Sequence, residues 1–519
     1  MGTKVYDNYA DLITFNRNSK GTALRPIGYG DELVTNGTFD TDLSGWTLSN
    51  SPAWVSGRVE LSRNGGIDIV RQSFATTIGA VYKVTADVTG TSGKLGIGVS
   101  SLDDSILNVG SLVNTSVDRL FVATTNTTWI YLITEVNGTS SWDNVSVKEV
   151  IFDREGDPLT LFLHPEGVPR IEYDADRNLK GLLIEPDGQN KCLQSEDFST
   201  NWPPANATIT TNDTTAPDGT TTADKLEATT AVAASVGQTV ITSAVTYTFS
   251  VWLKEGNTAT TFIRLTDIGT GENTVILTWA TRTVSGSAGV TARVVNDLGS
   301  GDWIRISLTH TLPAGGADVI RIFAGTSASG TAGDYIHVWG AQFEAGPIAT
   351  SYIPTTTASV NRGKDDITLG SASSLIGQTE GTLYVEVDWR LATGTEQVLL
   401  TVSDGTGNNR VQITNIALSV QLRMVAKANN DFKVNVGEDS SGFSGIQKFA
   451  FAYKTDDFEL YRNGSSIATD TNGSLAALAT LTDIDFQAQN ATAQANMHIR
   501  SIQIIPRRLS DEQLIELTS

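Results

Sequence analysis

The 519 residues are too many for one hydrophobic core and suit about three domains of ~150 residues, with 39% hydrophobic content to fill them. Asp plus Glu outnumber Lys plus Arg by 57 to 36, a net charge of −21, and no basic stripe relieves it. Such a surface repels nucleic-acid phosphates and anionic membranes, so neither is expected as a partner.

The single cysteine, Cys192, cannot form an intrachain disulfide. Met1 through Asp11 has no apolar h-region, and no stretch approaches the ~20 apolar residues of a membrane span. Synthesis in a cytoplasm without a signal peptide is expected. Abundant Gly, Thr and Ser and few charges point to β structure. Turn pairs recur at Asn36-Gly37, Asn64-Gly65, Asn137-Gly138, Asp218-Gly219, Asp404-Gly405, Asn463-Gly464 and Asn472-Gly473. No tandem repeat of 20–25 residues marks a long β-helix. The fold class is all-β: three tandem antiparallel β-sandwich (jelly-roll) modules with a short C-terminal helix.

In chain order, residues 1–30 are too short for a core and read as an anchor that lies against another chain or a larger particle. They contain Phe15-Asn16-Arg17-Asn18-Ser19-Lys20-Gly21-Thr22. Residues 31–150 open with Glu32-Leu33-Val34-Thr35-Asn36-Gly37-Thr38-Phe39-Asp40 and close with Trp142-Asp143-Asn144-Val145-Ser146-Val147. This pair resembles the carbohydrate-binding jelly rolls of many glycan-active proteins and phage fibres. The resemblance implies first and last strands lying side by side and a structural calcium near the closing Asp.

Residues 151–179 form a linker that includes Val168-Pro169-Arg170-Ile171-Glu172-Tyr173-Asp174. The next module, 180–360, starts from Gly181-Leu182-Leu183-Ile184-Glu185-Pro186, Asn190 and Gln194-Ser195-Glu196-Asp197-Phe198-Ser199. It ends in Trp339-Gly340-Ala341-Gln342-Phe343-Glu344-Ala345-Gly346 and Ala349-Thr350-Ser351-Tyr352-Ile353-Pro354-Thr355. These runs resemble a jelly-roll module widespread in phage virion proteins, and the Phe15 and Val168 segments resemble its short lead-in. Residues 31–150 then read as an insertion into that lead-in, which predicts that 10–30 pack near 151–185. Within the module, Tyr247, Phe249, Val251 and Leu253 alternate with Thr248, Ser250, Trp252 and Lys254, and Ile304, Ile306 and Leu308 with Trp303, Arg305 and Ser307.

Residues 361–519 carry Gly381-Thr382-Leu383-Tyr384-Val385-Glu386-Val387 and the hairpin Glu459-Leu460-Tyr461-Arg462-Asn463-Gly464. They resemble the laminin-G/concanavalin-like sandwiches. Ser510 to Ser519 alone reads as helix, with Ser510 as its cap. Together the resemblances imply a bacteriophage virion appendage, a tail fibre or head fibre/decoration protein, made in the cytoplasm of the bacterial host. The partners so implied are other virion proteins, further copies of the chain (a homotrimer favoured) and host-surface polysaccharide.

Catalysis has little to stand on. His164, His310, His337 and His498 belong to no metal or nucleophile motif, and there is no phosphate loop, G-x-S-x-G or cysteine cluster. A glycosidase needs two carboxylates about 5–10 Å apart, a distance sequence does not supply. Binding is the expectation. Sugars stack their C–H faces on aromatic rings, so tryptophans near turns or on the polar side of strands are the glycan-binding candidates. These are Trp54, Trp129, Trp142, Trp252 and Trp303, unless a loop or a neighbouring chain covers them. Asp143, with Thr38 and Asp40, is either a calcium site or a turn carboxylate; no other cofactor is expected. The expected function is attachment to host-surface glycans. The alternatives are a purely structural virion protein and the non-catalytic region of a polysaccharide-degrading tailspike.

Overall fold

The computed structural model describes residues 14–267, 269, 271–389, 397–416, 421–486 and 496–519; residues 1–13 of the expected anchor lie outside them. The chain divides into two compact units, Pro26–Leu159, and Met1–Arg25 with Thr160–Ser519. Nearly every element is an antiparallel strand, and among the described residues the one α-helix is Asp511–Thr518. No helix there is long and apolar enough to cross a membrane.

Pro26–Leu159 is a two-sheet sandwich. One sheet runs Thr115–Val122, Val81–Gly90, Gly138–Phe152 and then residues 26–32, with the hairpin Ala53–Val55/Arg58–Arg63 against the first half of Gly138–Phe152. First and last strands do lie side by side, Phe152 opposite Ile27 and Lys148 opposite Glu32. The other sheet orders Thr47–Ser49, Ile69–Ala75, Thr127–Thr134, Gly93–Gly98 and Leu107–Leu112. Period-2 alternation places Val84, Ala86 and Val88 of one sheet against Leu95, Ile97, Ile130 and Leu132 of the other.

The larger unit holds two more sandwiches. The middle one pairs two six-stranded sheets, its core built from Phe249, Val251, Leu253, Ile263, Leu265, Ile304, Ile306 and Ile320. The C-terminal one pairs two seven-stranded sheets around Leu383, Val385, Leu400, Val411, Phe449 and Phe451. Asn463 (φ 45°) and Gly464 (φ 83°) make its hairpin turn, both left-handed as a two-residue turn of this kind requires. The terminal helix is held by a reciprocal cap between Ser510 and Gln513, and it seats Leu514 beside Tyr384, Ala450 and Tyr461.

The lead-in is distributed differently from the linear reading. Ile171–Tyr173 and Leu179–Ile184 form the edge of one C-terminal sheet, with Leu183 opposite His498 and Ile184 opposite Met497. Thr14–Asn16 forms the edge of the other, paired to Asp366–Leu369. Leu182 and Ile184, counted with the middle module in sequence, thus belong to the C-terminal core. The middle sandwich begins after the two-stranded ribbon Gly188–Asn190/Val360–Arg362.

Candidate functional site

Within Pro26–Leu159 the five-stranded sheet has one face on the core and one outward. Ile69–Ala75, Thr127–Thr134 and Gly93–Gly98 pair through Thr127–Thr134 without a bulge, so residues opposite one another share a face. One outward row is Thr47, Arg71, Tyr131, Gly96 and Asn108. The next holds Ser73, Trp129 and Gly98, and a third Ser49, Ile69, Ile133 and Lys94. A side chain at Gly96 would enter the Tyr131 ring, so that glycine seats the phenol flat on the sheet. The Tyr131 hydroxyl donates to Asp104 at 2.9 Å, and Lys94 pairs with the same carboxylate at 2.6 Å. Burial, and then the bond to Asp104, raises the Tyr131 phenol above its ordinary range and keeps it a donor. Arg71 donates to the Ser49 hydroxyl at 3.2 Å, and Trp129 is half-buried. Tyr131 itself is only 4% exposed beneath this bonding, so the open part of the face is the half-buried Trp129 ring with Arg71 and the exposed Ser73, a platform of one aromatic ring edged with hydrogen-bonding groups of the kind that carbohydrate sites use.

Of the five candidate tryptophans, Trp129 alone lies on this platform. Trp54 is 43% exposed on the hairpin of the other sheet, its indole N–H bonded to the Phe39 carbonyl at 2.6 Å. Trp142 is fully buried, contrary to its strand parity. Asn144 adopts φ 52° and the pairing with Val81–Gly90 shifts between Asp143 and Ser146, a bulge that moves Trp142 onto the same face as Val145 and Val147. Its ring packs on Gly93 and its N–H bonds Ser140 at 3.0 Å.

Trp252 and Trp303 are also buried, for a different reason: their alternation is real, but the second face is covered by the chain itself. Over Trp252 lies the segment around Tyr352. The Trp252 ring stands 3.0 Å, and the Tyr352 ring 3.4 Å, from where a Cβ of Gly340 would be. Trp303 donates to the Thr215 carbonyl at 3.0 Å and is 2% exposed. None of these three can stack on a sugar.

The calcium candidates have protein partners. Thr38 donates to Asp40 at 2.8 Å, and Asp143 accepts the Asn144 N–H and stands 3.8 Å from Arg58. Glu32 joins the opening and closing motifs, accepting the N–H groups of Val34 and Val147 and the Ser146 hydroxyl. Asp143 faces a guanidinium rather than the several oxygens calcium takes. Among the described residues no group of three or more His, Cys, Asp and Glu is placed to hold a metal.

The motifs of the middle module build a second polar cluster, and this one is buried. Asn190 uses its whole amide: it donates to the carbonyls of Ala341 and Ile353 and accepts from the N–H groups of Cys192 and Phe343. Glu185 accepts from the N–H and hydroxyl of Ser351 and pairs with Arg170 at 2.9 Å and Arg362 at 3.6 Å. Arg170 also pairs with Asp365, which Arg17 meets at 3.1 Å. Arg17 reaches the carbonyls of Pro165 and Val168 and so ties residues 14–22 to the second half of the lead-in. Burial opposes ionisation of Glu185, but the charges of Arg362 and Arg170 outweigh it and hold the carboxyl at about 2. Beside this cluster, burial and then the charge of Asp218 push Glu196 up to about 7, against a bond from the Tyr352 hydroxyl at 3.0 Å.

No protein-family model and no curated protein matches the chain. Among solved structures it is similar to the CBM40 module of a Ruminococcus gnavus sialidase bound to α2,6-sialyllactose, at 16% identity and a TM-score of 0.24, covering 28% of this chain and 87% of that one. It is similar to botulinum neurotoxin type C, whose cell entry depends on two ganglioside molecules, at 14% and 0.25 over 30% of this chain and 40% of that one. Trypanosoma rangeli sialidase with the inhibitor DANA gives 9% and 0.25 over 57% and 60%. The chain spans less than two thirds of the latter two, and superpositions this loose bring no ligand or activity with them.

Proposed function

We propose that this chain is a non-catalytic virion appendage that attaches to host-surface polysaccharide through residues 26–159, with the larger unit as its scaffold. One observation carries the binding half: the half-buried Trp129 on an outward sheet face beside Arg71 and the exposed Ser73. The virion half rests on the motif resemblance of residues 181–199 and 339–355. A stacked ring contributes on the order of 1 kcal/mol, so each site is weak and several copies must act together, for which a homotrimer is the proposed assembly.

The test is a screen of the full chain against bacterial surface polysaccharides, with Trp129→Ala beside it. Binding that falls about fivefold per site in the variant, at unchanged melting temperature, supports the reading. Equal binding by both proteins removes the platform from it. A second reading, a structural protein without ligand, is favoured by the self-contained bonding of the middle motifs; binding to none of the polysaccharides would select it.

A further inference from the structure

Arg71 occupies the middle of the outward row between Thr47 and Tyr131. Its bond goes to a neutral hydroxyl, Ser49. Among the described residues no carboxylate stands within ion-pair distance of it, whereas Lys94 on the same face is neutralised by Asp104 at 2.6 Å. The platform therefore carries one uncompensated positive charge in a protein whose net charge is −21. Half-buried Arg282 pairs with Asp297, whereas half-buried Arg63, Arg423 and Arg462 bond a carbonyl or amide side chains, as Arg71 bonds a hydroxyl; what sets Arg71 apart is its place beside an outward tryptophan. A guanidinium held at an aromatic surface and left without an acid suits a carboxylate supplied from outside, which it can grip through two parallel N–H bonds.

The spacing agrees. Trp129 is the diagonal neighbour of Arg71 across the ladder, and such neighbours stand about 7–8 Å apart. A pyranose stacked on the indole would span that gap and bring a carboxyl substituent on its ring to the guanidinium. Ser73, opposite Trp129, is placed for the ring hydroxyls.

We infer that the platform selects acidic polysaccharide, a glycan with carboxylate-bearing sugars, and that Arg71 is the residue that reads the carboxylate. This rests on the proposed glycan-binding role of the same face and names its ligand class.

The experiment uses the full chain and three probes: a uronic-acid-containing bacterial polysaccharide, the same polymer with its carboxyls chemically reduced to alcohols, and a neutral glucan. Wild type, Arg71→Gln and Trp129→Ala are compared at low and high salt. The expected result is that wild type binds the acidic polymer at least about tenfold more tightly than its reduced form, and that salt erodes the difference. Arg71→Gln should lose that preference yet keep residual binding to the reduced polymer, whereas Trp129→Ala should weaken both. Equal binding of acidic and reduced polymer by wild type overturns the acidic-ligand inference and leaves the glycan-binding reading standing. A preference that survives in Arg71→Gln overturns the role of Arg71. Binding to none of the three overturns both readings.

Discussion

The two polar clusters use similar residue types to opposite ends. In the larger unit Arg17, Arg170, Arg362, Glu185 and Asp365 are each no more than 1% exposed in their side chains and meet one another. On the outer face of residues 26–159, Arg71 and Trp129 are half-buried and, among the described residues, the charge on Arg71 has no carboxylate partner. A cluster whose charges pair with one another holds strands together; a charge without a counter-charge on an outer face is a surface for something else. The difference explains why the motifs most specific in sequence, 181–199 and 339–355, are poor guides to a ligand. Asn190 spends all of its capacity on the backbone of the neighbouring motif.

The largest effect should come from breaking the buried cluster. Arg170→Met leaves Glu185 and Asp365 short of a cation in a fully buried site, and removing one partner of a buried pair costs about 3–5 kcal/mol. With two carboxylates affected, the upper end of that range is expected as a lower melting temperature of the larger unit, and glycan binding by the remaining folded protein should be unchanged. Loss of binding at full stability would make the cluster part of the site and end the contrast. Acid should act in the same place. Glu185 is held below its ordinary range, so the stability it confers is present above about pH 4.5 and is lost as pH falls toward 2. Wild type should therefore melt progressively lower across that window, and Glu185→Gln, already destabilised at neutral pH, should show a smaller slope.

Trp142 and Trp129 allow the contrast to be drawn inside one unit. Trp142→Ala opens a cavity against Gly93 and Val88 and should cost about 3–5 kcal/mol, read by denaturant unfolding. Trp129→Ala should leave that midpoint within about 0.5 kcal/mol of wild type, because its ring is on the outer face. Equal destabilisation by the two would mean that Trp129 serves packing rather than recognition.

What sequence revealed follows from what acts locally. Alternation at Tyr247–Leu253, the Asn463-Gly464 turn and the Ser510 cap are each decided within a few residues, and all three are found as read. Trp142 was misplaced because one left-handed residue, Asn144, reverses strand parity, and a bulge leaves no pattern in hydropathy. Trp252 and Trp303 lie on the polar side of their strands as read, but covered rather than open, because a sheet buried on both faces by a polar cover alternates like one that is half-exposed. The pairing of Leu183 with His498 spans most of the chain and has no local trace. Tyr131 and Arg71 were overlooked, although period 2 around Trp129 would have found the first. The second needs the ladder register, which places residue 71 beside 131.

The pH-dependent effect at the rim tests how complete the buried cluster is there. Glu196 is packed beneath Tyr352 without a cation, and burial with the nearby charge of Asp218 pushes it to about 7. A carboxyl whose folded pKa is raised above the ordinary 4.5 stabilises the protein fully below that pH, and its contribution is lost as pH rises through 7. Glu196→Gln keeps an oxygen for the Tyr352 hydroxyl and cannot ionise. The variant and wild type should thus be equally stable near pH 4.5 and diverge above it, the variant gaining about 1–3 kcal/mol by pH 8. Unfolding midpoints at pH 4.5, 6 and 8 provide the measurement. A constant difference across that range would mean that Glu196 is already neutralised or solvated in the folded chain. The buried cluster would then extend to its rim, and the platform would hold the one group in this comparison whose charge is left open.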